Sequence, residues 1–189
     1  MIEIKTIVNL LFEARMLKEI RRSGYRFLGM GNETVAEHSF LVCFIGYVLA
    51  QMVPGVDALK LITMGLLHDL AEARTGDLDM VQKQYVCADE KKAIHHVTEG
   101  LFFGSSVKAL VEEFNAGETA ESKLAHDADQ LAFVLDLKSM LDRGFTPASR
   151  WLDAVENRLK TDAGKRIAEG IRDVGWDHWW QKNFLDISE

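Results

Sequence analysis

An all-α fold in one compact domain is predicted by three features of this 189-residue sequence. Apolar residues recur at three- and four-residue spacing, only two prolines interrupt the chain, and β-branched runs are scarce. The length gives one domain enough chain to bury a sizeable core. A content of 48% hydrophobic and 27% charged residues is ordinary for a soluble globular protein.

Ile4, Ile7, Val8, Leu11 and Phe12 share a helical face and predict a first helix from about Ile4 to Arg22. Gly24 ends it, and a loop holds Tyr25, Arg26 and Gly31. Thr34-Val35-Ala36-Glu37 has the form of a capping box, so the next helix begins there, carries His38 in its first turns and reaches Met52 before Pro54-Gly55. A third helix spans Ala58–Ala73, with Leu61, Met64, Leu67 and Leu70 broadly on one side and His68, Asp69 and Glu72 at its end. His68 and Glu72, four residues apart, point the same way on such a helix. Thr75-Gly76-Asp77 turns the chain away. Further helices are predicted over Asp89–Phe103, Ser106–Asn115, Ala120–Arg143, Pro147–Leu159, Ala163–Asp173 and Trp176–Phe184. Gly144 supplies a C-terminal stop, and Thr146-Pro147 an N-cap and first helical residue. No repeat, low-complexity segment or long linker divides the chain, so residues 1–189 read as one domain.

The net charge of −7 argues against the basic groove of a nucleic-acid polymer binder. Cys43 and Cys87 lack metal or redox spacing, and Cys43, in an apolar helical run, is expected to be a buried free thiol. The absence of a disulfide framework fits a reducing cytoplasm. The N-terminal residues Met1-Ile2-Glu3-Ile4-Lys5 lack a basic region followed by a long apolar one, which points away from secretion. The most apolar stretch, Phe40 to Val53, is too short for a membrane span. A cytoplasmic protein without membrane attachment is the expectation.

The chemistry centres on His68-Asp69. Two adjacent polar groups at the buried end of an apolar helix need compensation, and a bound cation is a common one. His38 and either Asp127 or Asp129 complete a mixed nitrogen and oxygen donor set from three separated helices. Such a set suits Mn, Fe, Co, Ni or Zn, and with no thiolate nearby a structural zinc site is disfavoured. Asp127 shares a helical face with Leu124, Leu131 and Leu135, whereas Asp129 points away; Ala125, Ala132, Phe133 and Met140 make that opposite side apolar too. Glu72 and Asp77 stand close enough in sequence to orient a water or protonate a leaving oxygen. His95-His96 reads as solvated, and His126 as an exposed helix position ahead of a role behind the ligands. His178, among Trp176, Trp179 and Trp180, belongs to an aromatic group that pins the last helix to the core or to another subunit.

The ordered set resembles the HD-domain metal-dependent phosphohydrolases, and within them the small branch that includes bacterial 5′-deoxynucleotidases. Its matching stretches are Leu17-Lys18 through Arg22-Ser23-Gly24-Tyr25, Glu33-Thr34-Val35-Ala36-Glu37-His38-Ser39, His68-Asp69-x-x-Glu72-x-x-x-Gly76-Asp77, and Glu121-Ser122-Lys123-Leu124-Ala125-His126-Asp127-Ala128-Asp129-Gln130-Leu131. The resemblance implies an HD-type helical bundle with a catalytic core over about residues 10–145, followed by C-terminal helices over 146–189. It makes His38, His68, Asp69 and Asp129 the metal ligands, with Asp127 the alternative to Asp129. Glu72 and Asp77 become the catalytic carboxylates, Arg22 the phosphate-binding arginine and Tyr25 the aromatic against sugar or base. The cofactor implied is one divalent ion (Mn, Co, Zn, Fe, Ni or Mg), and the assembly implied is a homodimer. Where the branch often has a proline soon after Gly-Asp-Leu, this chain has Asp79-Met80-Val81, which alters the loop beside the substrate.

The expected activity is removal of phosphate from a small nucleotide, a (deoxy)ribonucleoside 5′-monophosphate, with Asp77 supplying the leaving oxygen's proton. Alternatives keep the metal and change the substrate to a nucleoside triphosphate, cyclic diester or alarmone. A further alternative makes the protein a non-catalytic sensor of metal or nucleotide.

Overall fold

In the computed structural model, which describes residues 4–184, the first helix α1 spans Ile4–Met16 and stops short of Arg22. Residues 1–3 of the N-terminal reading, and 185–189 of the single-domain reading, lie outside the described residues. The early stop has a tertiary cause. Arg22 N–H donates to the Glu33 carbonyl at 2.9 Å, Val35 N–H to Ile20 at 2.9 Å and Ala36 N–H to Leu17 at 3.2 Å, around an isolated antiparallel bridge between Arg21 and Thr34. These bonds draw the backbone out of helical geometry, and local propensity yields to them.

The segment expected as a loop instead forms a short helix, α2, Gly24–Leu28. Gly29 ends it at φ 79°, its N–H bonded to the Tyr25 carbonyl. Helix α3, Val35–Met52, begins with the predicted capping box: Glu37 N–H donates to Thr34 Oγ1 at 3.1 Å and Thr34 N–H to Glu37 Oε2 at 2.7 Å. The box fixes where α3 starts, and therefore where His38 sits. At 18 residues and mean hydropathy 1.4, α3 is long and apolar enough to cross a membrane by length and composition, contrary to the expectation from the shorter Phe40–Val53 stretch. Buried core helices meet the same criteria, and α3 sends Val42, Ile45 and Leu49 into the core. Its outer face leaves Phe40, Phe44 and Tyr47 exposed, beside exposed Leu59 and Leu66 of the next helix.

That helix, α4, spans Ala58–Leu67 and is capped by Asp57, whose carboxylate accepts from Lys60 N–H at 3.0 Å. It does not continue to Ala73. From Leu70 to Arg74 the amides of Leu70, Glu72, Ala73 and Arg74 bond three residues back, and only then does a single turn, α5, Glu72–Thr75, form. The rest follows as a 3₁₀ turn at Gln82–Gln84, α6 (Glu90–Thr98), α7 (Gly104–Ala116), α8 (Ala120–Asp142), α9 (Ala148–Glu156), α10 (Asp162–Asp173) and α11 (His178–Phe184). Helix α6 ends before the expected Phe103 because Gly100 turns the chain at φ 73°.

Helices α3, α4 and α8 pack together at the centre, with α10 against α8. Val42, Leu49, Leu61, Met64, Leu124 and Leu131 form their shared core. Each large aliphatic side chain buried this way stabilises the fold by roughly 1.5–3 kcal/mol. A second core joins Leu17, Val35 and Leu70 to α6 and α7, and a third joins Tyr25 and Leu28 to α8 and α9. Cys43 is a free thiol but only half-buried, donating to the Ile62 carbonyl, because it sits at the edge of the α3–α4 contact. His178 is exposed, and Trp176 of the C-terminal aromatic group packs under the Arg143 guanidinium, 4.0 Å from ring centre.

Replacing Thr34 by Ala removes the α3 cap. We expect a loss of about 1 kcal/mol, read as a fall in Tm of about 2–4 °C for a chain of this size.

Candidate metal centre

His38 projects from the first turns of α3 with 0% of its surface exposed. His68 stands where α4 ends, and Asp69 follows in the tightened turn. Donor atoms of these three residues lie within 4.8 Å of one another. Asp129, from the middle of α8, places Oδ1 2.9 Å from His38 Nε2, and Asp69 Oδ2 lies 3.1 Å from His68 Nε2. His38, His68 and Asp69 therefore form one cluster between α3 and α4, and Asp129 of α8 joins it through its contact with His38.

Asp127 does not reach it. Fully buried on the other side of α8, its carboxylate accepts from Lys160 N–H at 2.7 Å, Thr161 N–H at 2.8 Å and Thr161 Oγ1 at 2.6 Å. It anchors the turn that starts α10, where Gly164 leaves it room that a Cβ would fill. The two aspartates serve opposite faces of one helix.

The donor chemistry fits a divalent cation. His68 Nδ1–H donates to the Gly65 carbonyl at 2.8 Å, which turns Nε2 toward the centre, and that Nε2 is buried with no hydrogen-bond partner among the described residues. Burial opposes charge on His68, yet Asp69, with Asp129 behind it, raises its pKa to about 9. His38 is likewise pushed up against its burial by Asp129 and Glu33. Burial would raise the Asp129 pKa, but its bond to His38 and the charges of both imidazoles lower it. The carboxylates thus draw protons onto the two imidazoles, and a divalent ion binding there displaces such protons.

Around this core stand the other predicted residues. Arg22 extends from the bridge before α2 and donates from Nη1 to Asp69 Oδ2 at 3.1 Å, with Asp77 3.9 Å and Asp129 3.8 Å away. Burial works against its charge, but Asp69, Asp129 and Asp77 more than offset that, so it stays firmly protonated. Asp77 accepts from Ser23 N–H at 2.8 Å and Ser23 Oγ at 3.1 Å, which ties the loop after α5 to the start of α2. Glu72 Oε2 is buried without a partner among the described residues; burial, then Asp69 and Asp77, pushes its pKa up to about 9. All of these line a cavity of about 400 Å³.

Tyr25 lines that cavity too but is only 6% exposed. Its hydroxyl turns away, donating to Asp136 and lying 3.2 Å from Glu33 Oε2, and its ring meets Phe133 edge-on. The open aromatic wall consists of Phe27, Phe133 and Trp151. Sequence reasoning passed over Phe133 as apolar core, and over Trp151, Gln130, Lys83 and Arg158, which also line the cavity. The α8 contributions had a readable signal: His126, Asp129, Gln130 and Phe133 follow i, i+3, i+4, i+7 spacing and share one face. His126 is accordingly not exposed. It donates to the Phe114 carbonyl at 2.8 Å and stacks on the Phe114 ring. His95 and His96 are exposed, as expected.

An all-helical chain that gathers two histidines and two aspartates from three core helices, beside an arginine and two further carboxylates, has the architecture of a metal-dependent phosphohydrolase. The chain belongs to the HD-domain family, whose sequence profile, described as "HD domain", matches residues 14–171. It is 29% identical to the 5′-deoxynucleotidase HDDC2 of Dictyostelium discoideum over 131 residues, covering 63% of this chain and 69% of that protein. Among solved structures, a conserved hypothetical protein from Pyrococcus furiosus superposes with a TM-score of 0.76 at 28% identity, covering 88% of this chain and 99% of that one. A predicted metal-dependent phosphohydrolase from Magnetospirillum magnetotacticum shares the fold, with a TM-score of 0.71 at 23% identity over 92% of this chain and 95% of that one.

Asp127 and Asp129 should separate cleanly on mutation. Asp127→Ala leaves buried donors unpaired and should cost on the order of 2–3 kcal/mol in a denaturant melt, with metal uptake retained by the folded protein. Asp129→Ala, read on the folded protein, should abolish metal uptake in equilibrium dialysis.

Proposed function

We propose that this protein is a divalent-metal phosphomonoesterase that releases inorganic phosphate from (deoxy)ribonucleoside 5′-monophosphates. The observation that carries this reading is the company the quartet keeps. Arg22, Glu72 and Asp77 share one cavity with His68, Asp69 and Asp129, and a site that merely stored or sensed a metal would need no arginine and no second pair of carboxylates. The similarity to a protein named a 5′-deoxynucleotidase supports the substrate class. So does the cavity, whose volume of about 400 Å³ and aromatic wall suit a nucleoside carrying one phosphate.

His38, His68, Asp69 and Asp129 would hold a divalent cation, which when bound would supply Lewis acidity to the phosphate and lower the pKa of the attacking water. Arg22 binds the non-bridging phosphoryl oxygens through its planar fork and stabilises the charge that grows on them during in-line displacement. Its contacts with Asp69, Asp77 and Asp129 hold the guanidinium at the cavity floor before substrate arrives, so little reorganisation accompanies binding. Asp77 has both carboxylate oxygens accepting from Ser23, a posture suited to orienting a water and fixing the loop.

Glu72 is the better proton carrier, a different division of labour from the one the sequence suggests. Burial, then Asp69 and Asp77, pushes its carboxyl pKa up to about 9, which disposes it to hold a proton and to give it to the departing 5′ oxygen as that oxygen gains charge. Phe27, Phe133 and Trp151 offer the base and sugar an apolar wall. Gln130 is held against Asp129, its amide donating to Oδ2 at 2.7 Å, which leaves the amide carbonyl to read substrate hydroxyls.

A screen of divalent metals against paired deoxy- and ribonucleoside monophosphates, triphosphates and cyclic diesters tests this directly. The expected products are nucleoside and inorganic phosphate from the monophosphates alone; pyrophosphate from triphosphates, or no turnover with any metal, contradicts it. Asp69→Asn should abolish metal-dependent phosphate release. Glu72→Gln should lower kcat by about 10²–10⁴-fold while metal binding stays within a few-fold of wild type.

A further inference from the structure

The two histidines of the centre are supported unequally. His68 fixes its ring through Nδ1–H to the Gly65 carbonyl. His38 presents Nε2 to the centre in the same way, but its Nδ1 is buried with no hydrogen-bond partner among the described residues, in a ring that solvent does not touch. A ligating imidazole needs a partner on its other nitrogen to hold its tautomer and orientation. One carboxylate stands within reach: Glu33 Oε2, 3.6 Å from His38 Nδ1.

Glu33 needs that donor as much as His38 needs the acceptor. Among the described residues, the other group facing its carboxylate is the Tyr25 hydroxyl, 3.2 Å from Oε2. That hydroxyl has a single proton and makes its shorter contact to Asp136. With the proton on Asp136, Glu33 is left an acceptor without a donor, beside an imidazole nitrogen without an acceptor. The Glu33 backbone is held as well, since its carbonyl accepts from Arg22 N–H and it directly precedes the Thr34 cap of α3. Its carboxylate is therefore delivered to His38 from a fixed position.

We propose that Glu33 is a positioning residue for the metal centre: it accepts the His38 Nδ1–H, holds the ring with Nε2 toward Asp69 and Asp129, and raises its strength as a ligand. Tyr25 and Asp136 act behind it, which gives the buried Tyr25 hydroxyl a supporting role away from the substrate. The inference rests on the metal reading of the His38, His68, Asp69 and Asp129 cluster. A closure of a few tenths of an ångström between Glu33 and His38 completes the bond.

The test measures binding without turnover, using the full-length protein and Mn²⁺ in equilibrium dialysis, with Tm of the metal-free proteins recorded alongside. Loss of a carboxylate behind a ligating histidine weakens metal binding by about 10–100-fold. Glu33→Ala should show a loss of that size with a metal-free Tm close to wild type. Glu33→Gln, which keeps an acceptor but not the charge, should fall between Ala and wild type. This graded order is what a purely structural role would not give, and if Glu33→Ala fails to fold, Glu33→Gln decides alone. Mn²⁺ affinity within twofold of wild type in either folded variant overturns the inference while leaving the metal centre standing. A wild-type protein that takes up no Mn²⁺ overturns both.

Discussion

Everything in this fold is arranged around the cost of burying charge. His38, Asp69, Asp129 and Arg22 meet where α3, α4 and α8 cross, and none of them is tolerable there alone. The His38–Asp129 contact ties α3 to α8, the Arg22–Asp69 contact ties the bridge before α2 to the end of α4, and Asp77 with Ser23 ties the following loop back to α2. The apolar cores supply the stability of the domain. The polar cluster adds specificity, because each buried carboxylate must find its donor. In this chain the candidate metal centre and the polar contacts that tie these elements together share the same side chains.

That dual use explains which parts of the sequence were readable. The ligand residues sit in motifs whose spacing encodes local structure: a capping box that starts α3 four residues before His38, and an apolar helix that ends in His68-Asp69. Local physics carries such signals, so the candidate donors His38, His68 and Asp69 stand out from short segments. The choice between Asp127 and Asp129 needed the tertiary structure. Both sides of α8 are buried, so the hydrophobic pattern along it has no preferred face to reveal.

The misread features all depend on partners far along the chain. Residues 17–22 have helix-forming composition and leave the helix because the segment before α3 takes their backbone hydrogen bonds. The Tyr25 ring lines the cavity, but its hydroxyl is held by Asp136, 111 residues away, which no local pattern announces. Trp151 comes to the cavity because α9 folds back along α8, an event with no mark in its own neighbourhood. His126 looked like a surface histidine and is held by a carbonyl of α7. Each shows non-local contact overriding a sound local expectation.

The change in hydrogen bonding after α4 has a geometric consequence of its own. In an α-helix, residues three apart are offset by about 60° around the axis, and those four apart by about 40°. Where bonds run three residues back, there are three residues per turn and side chains at i and i+3 eclipse. Asp69 and Glu72 are three apart, and the Glu72 amide bonds to the Asp69 carbonyl. The tightened turn therefore brings the Asp69 and Glu72 side chains toward one face. A straight helix would have aligned Glu72 with His68 instead. Burial lifts the Glu72 pKa most, and the Asp69 charge that adds to it is brought near by the pitch of a single turn of backbone.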